Sequence, residues 1–225
     1  MRTLVLSASF VALALTGAAC ADETAKPIPA PVADEAHSSS TETAVFAGGC
    51  FWGMQGVFEH VKGVSQVLAG YSGGTKETAN YEDVSSETTG HAESVQIKYD
   101  PRQVTYGQLL RIYFSVAHDP TELNRQGPDS GTSYRSNIFT TTPEQQKIAA
   151  AYIAQLGSAH VFADPIVTRV DRFAVFYPAE SYHQDYLIHN PDSGYIVVND
   201  LPKIANLKRI YPELYRDKPV MVAQR

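Results

Sequence analysis

The alternation of apolar and polar residues is clearest between Ala92 and Tyr99. Val95, Ile97 and Tyr99 fall on one face of this predicted strand, because successive side chains of a strand point to opposite sides. Glu93 lies on the same face as these apolar residues. An acid on an inner face must be paired, protonated or part of a site, so Glu93 is a candidate functional residue.

The first half of the chain predicts a strand, a helix and a second strand in succession. A short buried strand at 44–47 is followed by two glycines, a helix at 51–61 and a strand at 64–71. Residues 75–90 are polar and lack periodicity, which predicts a long loop of the kind that is often functional. The further predicted elements are helices at 105–116, 142–156, 180–189 and 201–210, and strands at 136–140, 166–169 and 173–176.

Two of these helices carry recognisable start signals. Thr105 and Thr142 are suited to N-cap positions, and Pro143 fits the first helical position that follows Thr142. Strands and helices alternate, but not as regular βαβ units. We therefore predict an α+β fold, a mixed sheet with helices packed on it.

Composition and the N-terminus suggest an exported protein with one folded domain. The 225 residues carry a formal net charge of -6 and lack a Lys/Arg stripe, which argues against nucleic acid as a partner. Residues 1–21 resemble a secretory signal, which predicts a periplasmic or extracellular protein, and 22–43 a flexible linker. Cys20 is the residue that would carry lipid if the signal were a lipoprotein signal instead. The folded domain is predicted at 44–225, as a monomer without a membrane span.

Cys50 is then the only cysteine that remains after the signal segment. It lies between Gly49 and a predicted helix, and the unpaired amides of a helix start favour an anion. We therefore predict a lowered thiol pKa and a reactive thiolate. The structural alternative is a buried, inert cysteine that packs as a small hydrophobic residue.

Phe51 and Trp52 follow Cys50 directly, and Trp52 is the only tryptophan. Neighbours on a helix point about 100° apart, so the two rings cannot both face the core. One ring is expected to line a pocket beside the sulfur. Taken alone, the pair favours simple packing at a rim.

Several separated motifs make the chain similar to the type A peptide methionine sulfoxide reductases, from Val45 to about Tyr195. Their number, order and spacing make the resemblance specific. The motifs are GGCFWG at 48–53, GYSGG at 70–74, NYEDV at 80–84, TGHAESVQIKYDP at 89–101, HDPTELNRQGPDSGTSYRS at 118–136 and PAESYHQDYL at 178–187.

The resemblance implies the reaction and the fold. It implies a two-layer α/β sandwich with a mixed sheet, a ferredoxin-like plait. It also implies reduction of the S-epimer of methionine sulfoxide, peptide-bound or free, without a prosthetic group or metal. Cys50 matches the nucleophile, which would retain the oxygen as a sulfenic acid. Glu93 matches the acid that would lend a proton to the sulfoxide oxygen, a role that a partly buried carboxyl suits because burial raises its pKa.

The resemblance also implies the substrate pocket. Tyr81 and Tyr134 match tyrosines that hydrogen-bond the sulfoxide oxygen, and a phenol can do so without being ionised. Asp129 matches an acidic residue of the pocket, although a turn role in its Pro-Asp-Ser-Gly context stays open. Phe51 and Trp52 match the aromatic residues that hold the methyl group of the substrate.

The chain departs from the family near its C-terminus. Many relatives place a resolving cysteine after a Gly-Tyr pair, but here Ile196 follows Gly194 and Tyr195. An external thiol such as thioredoxin, a glutaredoxin or glutathione must then reduce the sulfenic acid. The segment after Tyr195 is expected to dock on the body and cover part of the site. Ser133 stands where relatives often have Gln.

Three other interpretations remain open from the sequence alone. A metal site is weakly supported, because Glu180-x-x-His183 occurs once where a di-iron site needs two copies, and a structural His183 is favoured. A cysteine hydrolase would pair Cys50 with His91 or His183. A binding module would hold oxidised methionine without turnover.

Overall fold

The structure, a computed structural model, describes residues 25–35 and 40–222. The strands are β1 Glu42–Ala47, β2 Val64–Ser72, β3 Ala92–Tyr99, β4 Arg125–Gln126, β5 Asp129–Ser130, β6 Asn137–Thr140, β7 Arg169–Arg172 and β8 Phe176–Pro178. The helices are α1 Phe51–Glu59, α2 Tyr81–Val84, α3 Tyr106–Ile112, α4 Pro143–Ser158, α5 Tyr186–His189 and α6 Leu201–Ile210.

Six of the strands form one mixed sheet in the order β7-β6-β1-β3-β2-β8. The pairs β1–β3, β2–β3, β1–β6 and β2–β8 are antiparallel, and β6–β7 is parallel. Strand β3 lies between β1 and β2. The N-terminal end of β3, which carries Glu93, lies beside the start of α1. The predicted α+β class with a mixed sheet is confirmed.

The alternation in β1 separates the two faces of the sheet. Phe46 belongs to the main core on the helical face, where its ring lies 5.6 Å from the ring of Phe58 and 5.0 Å from that of Tyr113. Val45 packs on the opposite face with Phe139 in a smaller cluster. The α1, α3 and α4 helices therefore cover one face, and the side chains of Phe173 and Phe176 cover part of the other.

Both predicted N-caps are confirmed. The Thr105 hydroxyl accepts a hydrogen bond from the Gln108 N–H at 3.2 Å, and the Gln108 side chain accepts one from the Thr105 N–H. The Thr142 hydroxyl caps α4 by accepting a hydrogen bond from the Gln145 N–H at 3.1 Å, with Pro143 at the start of the helix. These caps satisfy amides that the helices leave without internal partners.

Some element boundaries differ from the predicted ones. Helix α1 ends at Glu59, because the N–H groups of His60 and Val61 bond back to the carbonyls three residues earlier, at 3.2 and 3.1 Å, in tighter turns. The strands predicted at 166–169 and 173–176 lie three residues later, as β7 and β8. Pairing with β6 begins only at Arg169, which sets the start of β7.

The segment that precedes β1 is packed on the body where it is described, which corrects the flexible linker predicted at 22–43. Ile28 is buried, and its carbonyl accepts a hydrogen bond from Arg111 Nε at 2.8 Å. The Tyr152 hydroxyl donates to the Pro29 carbonyl at 2.6 Å. Residues 25–35 are rich in proline and alanine and lack periodicity, but these particular contacts fix them. The predicted signal segment lies outside the described residues.

Within the described chain, none of the helices is both long enough and apolar enough to span a membrane.

Candidate active site

A glycine turn places Cys50 at the start of α1. Gly49 has φ +86°, and a side chain there would approach the Gln126 side chain to 2.5 Å, so only glycine fits. The Gly49 N–H donates to the Tyr134 carbonyl at 3.2 Å, which ties this turn to the loop after β5. Cys50 is the N-cap residue of α1 and is 9% exposed.

The predicted lowering of the Cys50 pKa is wrong. Burial, followed by the negative charges of Glu93 and Asp200, raises the pKa of the Cys50 thiol well above its ordinary value. The Trp52 N–H lowers the pKa, as expected at a helix start, but this effect is smaller. The resting thiol is therefore protonated, and its activation requires a group that can take or move a proton.

Glu93 is the group next to this thiol. It is 3% exposed, and its Oε2 accepts a hydrogen bond from the Phe51 N–H, the amide that directly follows Cys50, at 2.9 Å. Burial and, more weakly, the charges of Asp129 and Glu87 raise the pKa of Glu93 to about 8, although the Phe51 N–H lowers it. Glu93 is thus a protonated acid at neutral pH, as its inward position in β3 predicts.

Tyr81 and Tyr134 enter the same site from two loops. Tyr81 starts α2, is 36% exposed, and its N–H donates to Glu180 Oε1 at 2.9 Å. Burial raises the pKa of both hydroxyls, and the charges of Glu93 and Cys50 raise them further. Both phenols therefore stay protonated within electrostatic reach of the thiol and the acid, where they can donate hydrogen bonds.

Asp129 and Trp52 are joined by a residue that the sequence analysis did not assign to the site. The Tyr195 hydroxyl donates a short hydrogen bond to Asp129 Oδ2. The Tyr195 ring also meets the Trp52 ring edge-on, with 5.8 Å between centroids. Trp52 stacks on Tyr186 at 3.8 Å and an interplanar angle of 12°. The Gly-Tyr pair that precedes the missing cysteine was the available signal for Tyr195.

His183 contacts three of the aromatic side chains of the site. Its Nδ1 accepts a hydrogen bond from Trp52 Nε1 at 3.1 Å, and its ring lies 5.0 Å from that of Phe51 and 4.6 Å from that of Tyr81. Phe51 is only 1% exposed, so its ring lies at the bottom of the site, whereas Trp52 is partly exposed to solvent. The contacts of His183 fit the structural role that the sequence analysis favoured.

Of the two histidines considered for a hydrolase, His91 has both ring nitrogens bonded to other groups, and His183 has one. His91 Nε2 lies 2.9 Å from the Thr75 carbonyl oxygen, and its Nδ1 accepts from the Gly74 N–H at 3.3 Å. His183 uses Nδ1 for Trp52. In the described part of the chain, His, Cys, Asp and Glu side chains do not gather into a group of three that could hold a metal ion.

The segment after Tyr195 docks beside α1, as expected. Ile196 is fully buried, and so is Asp200, which lies 3.5 Å from the Lys203 ammonium. A side chain on Gly53 would come within 2.0 Å of Asp200 Oδ1, so the carboxyl occupies the space that this glycine leaves. Asp200 was missed because its sequence neighbours give no sign of burial.

Comparison with known proteins agrees with this geometry. The family model described as peptide methionine sulfoxide reductase matches residues 42–214. The protein named peptide methionine sulfoxide reductase MsrA 2 of Mesorhizobium japonicum is 61% identical over 189 residues, which are 84% of this chain and 97% of that protein. The MsrA 2 of Synechocystis is 54% identical over 192 residues, 84% and 90% of the two chains.

Solved structures give the same result. Methionine sulfoxide reductase A of Corynebacterium diphtheriae is 33% identical with a TM-score of 0.58, over 75% of this chain and 87% of that one. The reduced form of Mxr1 from Saccharomyces cerevisiae has a TM-score of 0.63 at 29% identity, over 72% and 92% of the chains. The chain therefore belongs to the peptide methionine sulfoxide reductases, oxidoreductases that return methionine sulfoxide to methionine.

Proposed function

We propose that this enzyme reduces the S-epimer of methionine sulfoxide, peptide-bound or free, through a sulfenic acid on Cys50. The observation that carries the proposal is the hydrogen bond from the Phe51 N–H to Glu93, which holds a protonated acid beside the single thiol of the site. A sulfoxide oxygen leaves sulfur readily only when it is protonated. An acid with a pKa near 8 can supply that proton at neutral pH.

The first half-reaction needs no proton from outside. The Cys50 sulfur takes the oxygen, the S–O bond of the substrate breaks, and methionine leaves. Glu93 gives its proton to the oxygen and receives the thiol proton, so the carboxyl is restored. Cys50 is oxidised to the sulfenic acid as the sulfoxide is reduced. The protonated resting state of both groups supports this relay.

The surrounding residues orient the substrate. We assign the hydroxyls of Tyr81 and Tyr134 to the sulfoxide oxygen, because both remain protonated donors. The buried Phe51 ring and the partly open Trp52 ring are assigned to the methyl group of the substrate. We also assign Asp129, whose Oδ2 accepts a hydrogen bond from the Tyr195 hydroxyl, to this pocket, as an acceptor for a substrate amide.

The second half-reaction requires an external thiol, because no cysteine follows Cys50 in the sequence. A first thiol forms a mixed disulfide with Cys50 and releases water. A second thiol restores the Cys50 thiol and leaves with the first as a disulfide. We infer that the reductant is thioredoxin-like, glutaredoxin-like or glutathione. No prosthetic group takes part in these steps.

We further propose export to the periplasm or the extracellular space. The N-terminal pattern at 1–21 supports this, with Cys20 as the residue that would carry a lipid anchor. The catalytic domain at 44–225 would then act as a monomer. The strand order β6-β1-β3-β2, antiparallel throughout, supports a ferredoxin-like plait at the centre of that domain.

The proposal is tested by turnover with dithiothreitol on the separate S- and R-epimers, as free amino acids and in a peptide. Methionine should form from both S substrates and not from the R-epimers. Turnover with glutathione and with a thioredoxin then identifies the class of reductant. Equal rates on the two epimers would refute the stereochemical assignment. Ester or peptide hydrolysis with the sulfoxide untouched would favour a cysteine hydrolase.

A further inference from the structure

A carboxylate outside the assigned set binds the loop that carries Tyr134. Glu87 Oε2 accepts a hydrogen bond from the Ser133 N–H at 2.7 Å, and its Oε1 accepts one from the Ser133 hydroxyl at 2.7 Å. The single proton of the Thr132 hydroxyl is shared between the Glu87 carbonyl oxygen at 3.1 Å and Glu87 Oε2 at 3.2 Å. One side chain thus holds the two residues that precede Tyr134.

Glu87 and Gly131, which meet at this contact, both have positive φ angles. Glu87 has φ +64°, a left-handed conformation that residues with a Cβ rarely adopt. Gly131 has φ +145°, and a side chain on it would meet the Glu87 carboxyl at 2.2–2.4 Å. The carboxylate therefore occupies space that exists only because residue 131 is glycine. A strained residue persists where its surroundings fix it, and such residues cluster at functional sites.

Arg135 ties the same two loops together from the other side of Tyr134. Its guanidinium is buried and donates to the carbonyls of His91 and Gly90, each at 2.9 Å, and to that of Thr132 at 2.8 Å. The loop of Glu87 leads directly into β3, which carries Glu93. Tyr134 thus lies between two anchors that both connect it to the strand bearing the acid.

We propose that Glu87 is a positioning residue that holds the Tyr134 hydroxyl at the sulfoxide oxygen. This inference rests on the role given to Tyr134 under the proposed function. The Ser133 hydroxyl and amide use both carboxylate oxygens, so the turn is held in one orientation. A small displacement of a group that stabilises a transition state is costly, and a loosened turn should therefore slow the chemical step more than substrate binding.

The test is a double-mutant cycle between Glu87→Ala and Tyr134→Phe, measured as single-turnover methionine release from methionine S-sulfoxide. Glu87→Ala should lower the rate constant by about tenfold. In the Tyr134→Phe background the same change should cost less than about twofold, because the hydroxyl it positions is gone. Glu87→Gln should lose less than Glu87→Ala, since the amide oxygen still accepts from the Ser133 N–H.

Glu122→Ala is the matched control. Glu122 also anchors a loop through a backbone amide, by accepting from the Gly127 N–H at 2.7 Å, but it does not bind the turn of Tyr134. Its effect, whatever its size, should be the same with and without the Tyr134 hydroxyl. Melting temperatures of all variants show that each is folded. If Glu87→Ala fails to fold, Glu87→Gln replaces it in the cycle.

Three results would overturn the inference. One is an unchanged rate in Glu87→Ala, and another is an equal penalty with and without the Tyr134 hydroxyl, which would reduce Glu87 to a purely structural anchor. The third is an unchanged rate in Tyr134→Phe, because Glu87 would then have no functional hydroxyl to position. Failure of the proposed function itself is distinguishable, because the unmodified enzyme would then release no methionine.

Discussion

Two buried carboxyl groups lie at opposite ends of α1, and only one of them is assigned a role in the proposed reaction. Glu93 meets the N-terminal end through the Phe51 N–H, and Glu59 is the last residue of the helix. Burial raises the pKa of both, to about 8 for Glu93 and about 10 for Glu59. Burial alone therefore produces a protonated acid, and it does not make that acid catalytic.

The two ends of the helix account for the difference. The amides at the helix start favour an anion, so Glu93 can exchange its proton near neutral pH. Glu59 lies at the end where the helix disfavours an anion, and the nearby Asp185 carboxyl raises its pKa further. Glu93 also has a thiol beside it, whereas Glu59 is fully buried beside the C-terminal segment, whose Val220 N–H bonds to its carbonyl.

The largest expected effect comes from Cys50→Ser. A hydroxyl is a far weaker nucleophile than a thiolate, and a serine cannot keep the oxygen as a sulfenic acid. Methionine release should fall by at least about 10³-fold. Substrate binding, measured by calorimetry with methionine S-sulfoxide, should survive. Full activity in Cys50→Ser would contradict the assignment of Cys50 as the nucleophile. Binding without turnover in the unmodified enzyme would favour a binding module.

Single-turnover rates of Glu93→Gln and Glu59→Gln test the comparison between the two buried carboxyl groups. The amide at position 93 can accept from the Phe51 N–H but cannot supply a proton, so single-turnover methionine release should slow by about 10²-fold or more. Glu59 is protonated at neutral pH, so glutamine imitates it, and the rate should change by less than about twofold. Equal rate losses in the two variants would mean that Glu93 acts only through packing.

Replacing Glu59 is expected to change the stability of the folded protein and not its activity. Its pKa is raised from about 4.5 in the unfolded chain to about 10, so between these values the folded state retains a proton that the unfolded state releases. Stability must then fall as pH rises through this window. Glu59→Gln removes this loss, which is about 1.4 kcal/mol per pH unit for one proton, and should gain about 4 kcal/mol relative to the unmodified enzyme between pH 6 and pH 9, seen as a relative rise in Tm. A constant Tm difference across that range would contradict a protonated Glu59.

The smallest expected effect concerns Asp200. Its charge helps to raise the pKa of Cys50, so Asp200→Asn should lower that pKa and make more thiolate. Alkylation of Cys50 by iodoacetamide at pH 8 should quicken by about threefold. Asp217→Asn removes an exposed carboxyl paired with Lys208 and serves as the control, with an unchanged rate. Slower alkylation in Asp200→Asn would reverse the assigned electrostatics.

The sequence predicted the elements with strong local patterns. Strand β3 and helix α6 have the predicted bounds, because alternation and an apolar stripe mark them within a few residues. The edge strands β7 and β8 were displaced by three residues, since their starts depend on pairing with strands far away in sequence. The packing of 25–35 was missed because it depends on contacts with α3 and α4 and not on local composition.

The separated motifs predicted which residues form the site. They could not predict how the charges of these residues shift the pKa of Cys50. The glycine turn predicted a lowered Cys50 pKa because only the helix start is visible locally. The groups that raise the pKa are Glu93 and Asp200, which are 43 and 150 positions away in the chain. The left-handed Glu87 gave no sign either, because a polar loop residue shows its partner only after folding.

The central claim is that one thiol takes the oxygen and nothing within the chain resolves it. Mass spectrometry after one round with excess methionine S-sulfoxide and no reductant tests this directly. We expect one equivalent of methionine and a sulfenic acid trapped by dimedone on Cys50, in the unmodified enzyme and in Glu59→Gln alike. No methionine and an unmodified Cys50 would contradict the account.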